Sequence, residues 1–212
     1  MRILPLWVYV TVLAVGCTPS LMPVSVPPTS IATPSPETPL RIGMLAGHRG
    51  AGYGATCPDG VKEVDITTAI AARLQDKLQT AGYQVDVLDE FDARLEGYHA
   101  AVFVALHADS CIRDMSGFKV ASRTMPDESG DTLQGCLQWS YRQATHLEPQ
   151  PFGVTPAMTN YYAFDRLAPE TPAAIIELGF ISTDRPILIG QPDQAAQGVY
   201  DGLICFLKWP KP

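Results

Sequence analysis

Four side chains in this sequence are of the types and in the surroundings that metal-assisted hydrolysis requires. His48 lies in GMLAGHRGAGYG, Glu63 in GVKEVDI, His107 in AVFVALHADS and Glu177 in AAIIELGFIS. Two imidazoles and a carboxylate suit a zinc ion that leaves its fourth position to water, and a further carboxylate beside that water would serve as its base. Taken singly, each has an ordinary explanation, since a histidine at a strand end is commonly structural and a glutamate in a helix's first turn complements the dipole. Glu177 resists that reading: it interrupts an apolar stretch between Ile176 and Leu178, where an unpaired charge is costly to bury. His99 and His146, at the start of one expected strand and near the end of one expected helix, are read as structural.

The elements that must position these groups follow from the apolar pattern. Residues 41–46 form a short apolar run broken by Gly47, which predicts a buried strand leading into a glycine-rich loop. Ile66, Ile70, Leu74 and Leu78 recur four apart before Gly82, which predicts an amphipathic helix over 62–81 with Glu63 in its first turn. Strands are expected at 84–88, at 101–106 as the central one, at 117–121, at 160–164 and at 173–176, with helices at 132–146 and 194–208. Strands alternating with helices predict an α/β fold, a single domain with a mostly parallel central sheet flanked by helices. In such sheets the ligand crevice lies beyond the carboxyl ends of the strands. His48, His107 and Glu177 each follow a strand, and Glu63 opens the helix returning from the first, so all four are expected at that edge.

The first 16 residues carry one positive charge, a short apolar run interrupted by Pro5, and small residues before Cys17. This pattern reads as a signal peptide, since a membrane span needs roughly 20 apolar residues. The run Leu13-Ala14-Val15-Gly16-Cys17 resembles a bacterial lipobox, in which the cysteine is lipidated and becomes the first residue after cleavage. Residues 17–40 are then a lipidated cysteine followed by a linker rich in proline, serine and threonine, too poor in apolar surface to offset the entropy of ordering. Residues 41–212 make the working domain. The lipid anchor implies an exported, membrane-attached monomer facing the cell wall or periplasm. A net charge of −7 with no basic run excludes nucleic acid as a partner. Beyond Cys17 the chain has Cys57, Cys111, Cys136 and Cys205, an even number in an exported protein, which suggests two disulfides among three possible pairings. Cys57 with Cys111 is the expected first pair, because the loops after His48 and His107 must converge if both bind one metal. Cys136 with Cys205 would then join two helices.

The motifs AGHRG, KEVDI, VALHADS and PAAIIELGFIS, in this order, resemble those of the zinc-dependent N-acetylmuramoyl-L-alanine amidases of bacterial cell-wall turnover, the third of the amidase families. The resemblance runs from about residue 41 to the C-terminus. It implies zinc (Zn2+) on His48, Glu63 and His107, Glu177 as the catalytic base, and peptidoglycan as substrate, cut between N-acetylmuramic acid and the first L-alanine of the stem peptide. The sequence departs from the pattern in three places. Arg49 replaces a glycine, Ala105 stands where a serine is usual, and the stretch between the second and third strands is short and lacks a TR-x-x-D element. Two other readings keep the compartment: an exported cysteine peptidase using Cys57 or Cys111 as thiolate, and a non-catalytic peptidoglycan-binding module with an amidase fold.

Overall fold

The apolar run ending at Gly47 forms β1, Arg41–Ala46, and the chain returns through α1, Glu63–Thr80, to β2, Gln84–Leu88. In this computed structural model, which describes residues 38–150 and 153–210, Ile66, Ile70, Leu74 and Leu78 lie buried along one side of α1, as their spacing requires. A 3-10 turn, Ala93–Leu95, leads to β3, Val102–Asp109, and then β4, Lys119–Ser122. Next come α2, Ser129–Thr145, and two short helices, α3, Pro156–Thr159, and α4, Tyr162–Arg166. β5, Ala173–Phe180, a single turn α5, Arg185–Leu188, and α6, Pro192–Lys208, complete the order. The proposed signal peptide, Cys17 and nearly all of the linker lie outside the described residues. Among the described residues no helix is long and apolar enough to cross a membrane.

The five strands form one sheet in the order β2-β1-β3-β5-β4. All neighbours are parallel except the edge pair β4 and β5, so the mostly parallel α/β sheet expected from the alternation is present. Successive side chains of a strand alternate between faces, and the core divides accordingly. Ala46, Leu106 and Ile176 pack beneath α1, α2 and α6. Leu45, Ala105 and Ile175 face the other way, toward Tyr98, Met158, Tyr161, Phe164 and Leu167. Disulfides join Cys57 to Cys111 and Cys136 to Cys205, with Cα atoms 5.6 and 5.7 Å apart. The first ties the loop after β1 to the segment after β3, and the second ties α2 to α6.

Two expectations need correction. Residues 160–164 do not form a strand but run into α4. Their aromatic content reads as β-forming, yet Tyr161 and Phe164, three apart, pack ring against ring at 5.6 Å on the second core, a spacing that only a helical turn brings to one side. β3 and β5 also run further than their apolar stretches, so that His107 and Glu177 lie inside the ladder, paired with each other, rather than beyond it. Strand pairing is a backbone property, and a polar side chain does not end it. A register shift between His107 and Asp109 marks a bulge in β5 just past Glu177, a device that re-aims side chains next to sites.

Candidate metal centre

Gly47 ends β1, and His48 follows in the left-handed region at φ 65°, a conformation a histidine keeps only when its surroundings hold it there. Its ring points toward Glu63, the first residue of α1. Gly54, at φ 65°, lies directly over this junction, and any side chain there would collide with the Glu63 carboxylate and the His48 ring. His107 comes from the middle strand. Its ring stands edge-on to that of His48, the centroids 5.1 Å apart.

The Glu63 carboxylate is the hub. Oε1 accepts from the Ala108 backbone N–H at 3.0 Å, and Oε2 accepts from that of Ala55 at 2.9 Å. Toward the opening, Oε2 lies 3.2 Å from His48 Nε2 and Oε1 3.0 Å from His107 Nδ1. Burial alone would raise the Glu63 pKa, but hydrogen bonds from both histidines and both backbone amides outweigh it and hold the carboxyl at about 2. The hydrogen bond to Glu63 raises the pKa of His48 against burial. For His107 burial opposes protonation, yet Glu63, Glu177 and Glu90 together raise its pKa.

One ligand atom from each of His48, Glu63 and His107 lies within 4.8 Å of the others. Two imidazole nitrogens and a carboxylate oxygen at such spacing form a donor set that fits zinc, with three protein ligands and room for a fourth. Glu177 reaches this edge from β5 with His107 as its ladder partner on one side and Lys119 on the other. Its Oε2 is buried and has no hydrogen-bond partner among the described residues. Burial pushes its carboxyl up to about 7, helped by Glu63 and Asp109 and opposed by His107 and Lys119. A carboxylate so poised can take and return a proton at neutral pH.

Two residues of this edge escaped sequence reasoning. Glu90, two positions past β2 and only 5% exposed, accepts from the His48 backbone N–H at 2.6 Å and from the Tyr161 hydroxyl at 2.9 Å. The Tyr161 oxygen lies 3.1 Å from His107 Nε2. The edge rule that selected His48 and His107 also selects Glu90, since β2 is parallel to β1 and its carboxyl end faces the same way; Tyr161 was hidden inside the segment taken for a strand. His99 stays apart as expected, exposed beside Glu170 at 3.6 Å, and His146 caps α2 in the left-handed region. The thiolate reading loses its nucleophile, because Cys57 and Cys111 are bonded to each other. A cavity of about 880 Å³ at the opposite edge of the sheet, between Arg41, Ala101, Pro172 and Trp209, is lined by His99 and Glu170 but includes none of His48, Glu63, Glu90, His107, Tyr161 and Glu177.

The geometry agrees with what the sequence is similar to. No curated protein matches the sequence at a significant level. Among solved structures, the CwlD amidase of Clostridioides difficile, determined in complex with the GerS lipoprotein, is 20% identical with a TM-score of 0.64, covering 81% of this chain and 100% of that one. The N-acetylmuramoyl-L-alanine amidase AmiC2 of Nostoc punctiforme is 22% identical with a TM-score of 0.62, covering 80% and 97%. Ami1 of Mycobacterium smegmatis, at 15% identity, reaches a TM-score of 0.65 over 79% and 96%. At these identities the likeness speaks for the fold. The family model for N-acetylmuramoyl-L-alanine amidases matches residues 42–204, which is most of the chain and spans every residue of the edge just described: this protein belongs to the N-acetylmuramoyl-L-alanine amidase family.

Proposed function

We propose that this chain hydrolyses the amide bond between N-acetylmuramic acid and L-alanine of peptidoglycan with zinc held by His48, Glu63 and His107, and with Glu177 as the base. The observation that carries this reading is the convergence of His48 Nε2 and His107 Nδ1 on one buried carboxylate, with His107 paired in the ladder to Glu177, whose buried Oε2 has no hydrogen-bond partner among the described residues. Zinc held by His48, Glu63 and His107 would supply Lewis acidity toward the amide carbonyl and a water acidic enough to attack near neutral pH. Glu63 supplies the charge of the ligand set, and its two backbone hydrogen bonds keep it oriented for the metal. Glu177 takes the proton of the attacking water and delivers it to the departing L-alanine nitrogen, and its buried position keeps it from preferring the ionised form too strongly. Lys119, beside Glu177 on β4 and paired with Asp109, limits how far that carboxyl rises.

We further propose that residues 1–16 export the chain, that Cys17 is lipidated, and that the proline-rich segment to residue 40 tethers a monomeric domain, 41–212, within reach of the wall. The lipobox-like LAVGC and the composition that follows support this.

Zinc content per chain and release of stem peptides from purified peptidoglycan test the site together. The native protein should hold one zinc and release peptide; His48→Ala should lose both properties; Glu177→Ala should keep the metal and lose about 10²–10⁴-fold in rate. Near-native turnover by Glu177→Ala removes the base, turnover undiminished by complete zinc removal removes the metal, and tight wall binding without turnover in the native protein restores the binding-module reading.

A further inference from the structure

Two of the three departures from the family pattern meet in the fold. Arg49 forms an ion pair with Asp89, at the end of β2 where the TR-x-x-D element is lacking, and donates through Nη2 to the Val87 carbonyl at 3.0 Å. The Glu90 backbone N–H in turn donates to the Arg49 carbonyl at 2.9 Å. The loop carrying His48 is thus fastened to the residues just past β2, and the fastening brings the Glu90 carboxylate beneath both histidines. One oxygen accepts from the His48 N–H at 2.6 Å and lies 3.7 Å from His107 Nε2, while the other accepts from Tyr161.

The order of donors in this chain is fixed by inventory. A carboxylate only accepts, and a phenol has one hydrogen. Tyr161 therefore gives its hydrogen to Glu90 and offers its oxygen to His107 Nε2–H, 3.1 Å away. By the same inventory Nδ1 donates to the Glu63 carboxylate 3.0 Å away, so the hydrogen that a metal would displace is the one at Nδ1 and the hydrogen that stays is at Nε2. The same carboxylate supports the left-handed backbone of His48. Ring packing acts in the same direction, since Tyr161 meets His107 edge-on at 5.6 Å and is backed by Phe164.

We propose that Glu90 and Tyr161 are a coupled pair of positioning residues that fix the tautomer and ring of His107 and the backbone of His48, so that Nδ1 and Nε2 face one zinc ion. This deepens the reading of His48, Glu63 and His107 as ligands and rests on it. Neither residue is asked to touch substrate. Partners of this kind, one bond behind the ligands, change metal affinity by about 10–100-fold.

The test uses the metal-free full-length protein titrated with zinc against a competing chelator, for native, Tyr161→Phe, Glu90→Gln and the double variant. Tyr161→Phe keeps the ring and removes the hydroxyl; Glu90→Gln keeps the shape but turns an amide donor toward a donor. Each single change should weaken zinc binding by about 10–100-fold, and the double should be no weaker than the poorer single within about threefold, because the two act as one chain. Nitrogen-15 NMR of the zinc-bound native protein should place the His107 hydrogen at Nε2, and in metal-free Tyr161→Phe should find it at Nδ1, toward Glu63. Affinities within about threefold of native for both singles, or losses that add in the double, overturn the proposal. If Glu90→Gln does not fold, Tyr161→Phe alone decides by affinity and tautomer. Failure of the native protein to bind zinc would instead overturn the ligand assignment beneath it, whereas native binding with indifferent variants removes only the positioning pair.

Discussion

Glu177 shows how a proton acceptor can be tuned by withholding partners. Its carboxyl is held at about 7, against 4.5 for the free group, chiefly by burial. The metal-free fold therefore binds a proton that the unfolded chain gives up, and the sign follows: this contribution to stability is complete below about pH 4.5 and is lost as pH rises through about 7. Glu177→Gln keeps the neutral shape at every pH. Its urea midpoint, measured without metal, should exceed that of the native protein at pH 8 and converge with it near pH 4.5; a gap independent of pH would mean that the carboxyl is not the cause. The same variant should be nearly inactive, so that stability rises as turnover falls, a known trade-off at active sites. At this scale the site was largely legible: His48, Glu63, His107 and Glu177 each break or open an apolar element, and a polar residue in that position is conspicuous in sequence. Glu90 was not. The edge rule reaches this run, but Glu90 follows Asp89 and precedes Phe91 and Asp92, and the rule does not say which of these carboxylates turns inward.

Elements carry the second set of consequences. The Cys57–Cys111 bond joins the two segments whose Ala55 and Ala108 amides grip Glu63, whereas Cys136–Cys205 joins helices α2 and α6, which carry none of the proposed ligands. Replacing either pair by alanine should cost about 2–5 kcal/mol in chemical denaturation, yet only loss of the first should also weaken zinc binding; equal zinc affinity in the two variants would separate the bond from the site. Helices α2 and α6 approach so closely that a Cβ at Gly202 would stand 2.9 Å from the Leu137 Cα. Gly202→Ala must push the helices apart and should lower stability by about 1–3 kcal/mol, with zinc affinity unchanged; a stabilised variant would show that helix propensity outweighs the contact. Periodicity made α1 and α6 readable because one apolar stripe repeats along each. It failed at residues 160–164, where the stretch is too short for a period to declare itself and aromatic content leans toward strand. Burial of Tyr161 and Phe164 on one side decided the matter for α4.

For the whole molecule, composition and order gave the architecture, because a parallel sheet needs a crossover between neighbouring strands and the long amphipathic segments supply it. The antiparallel edge strand β4 could not be read in the same way, since direction is set by pairing and leaves no mark in so short a run. Attachment belongs to this scale as well. Cys17→Ala should move the protein from the membrane to the soluble fraction on cell fractionation without changing the rate of the purified enzyme, and continued membrane association would refute the lipid anchor. Among the described residues the two sides of the sheet are unequally covered: α1, α2 and α6 span one, while the other has α3, α4, a 3-10 turn and connecting segments. Thinly covered regions open first, so amides over 158–167 should exchange with deuterium sooner than those of the long helices. Tyr161 belongs to that thin side and touches His107, a contact that would couple breathing to occupancy of the proposed metal site. Zinc should therefore slow exchange across 158–167 more than across α2 or α6, and ion release would be timed by the opening of this cover.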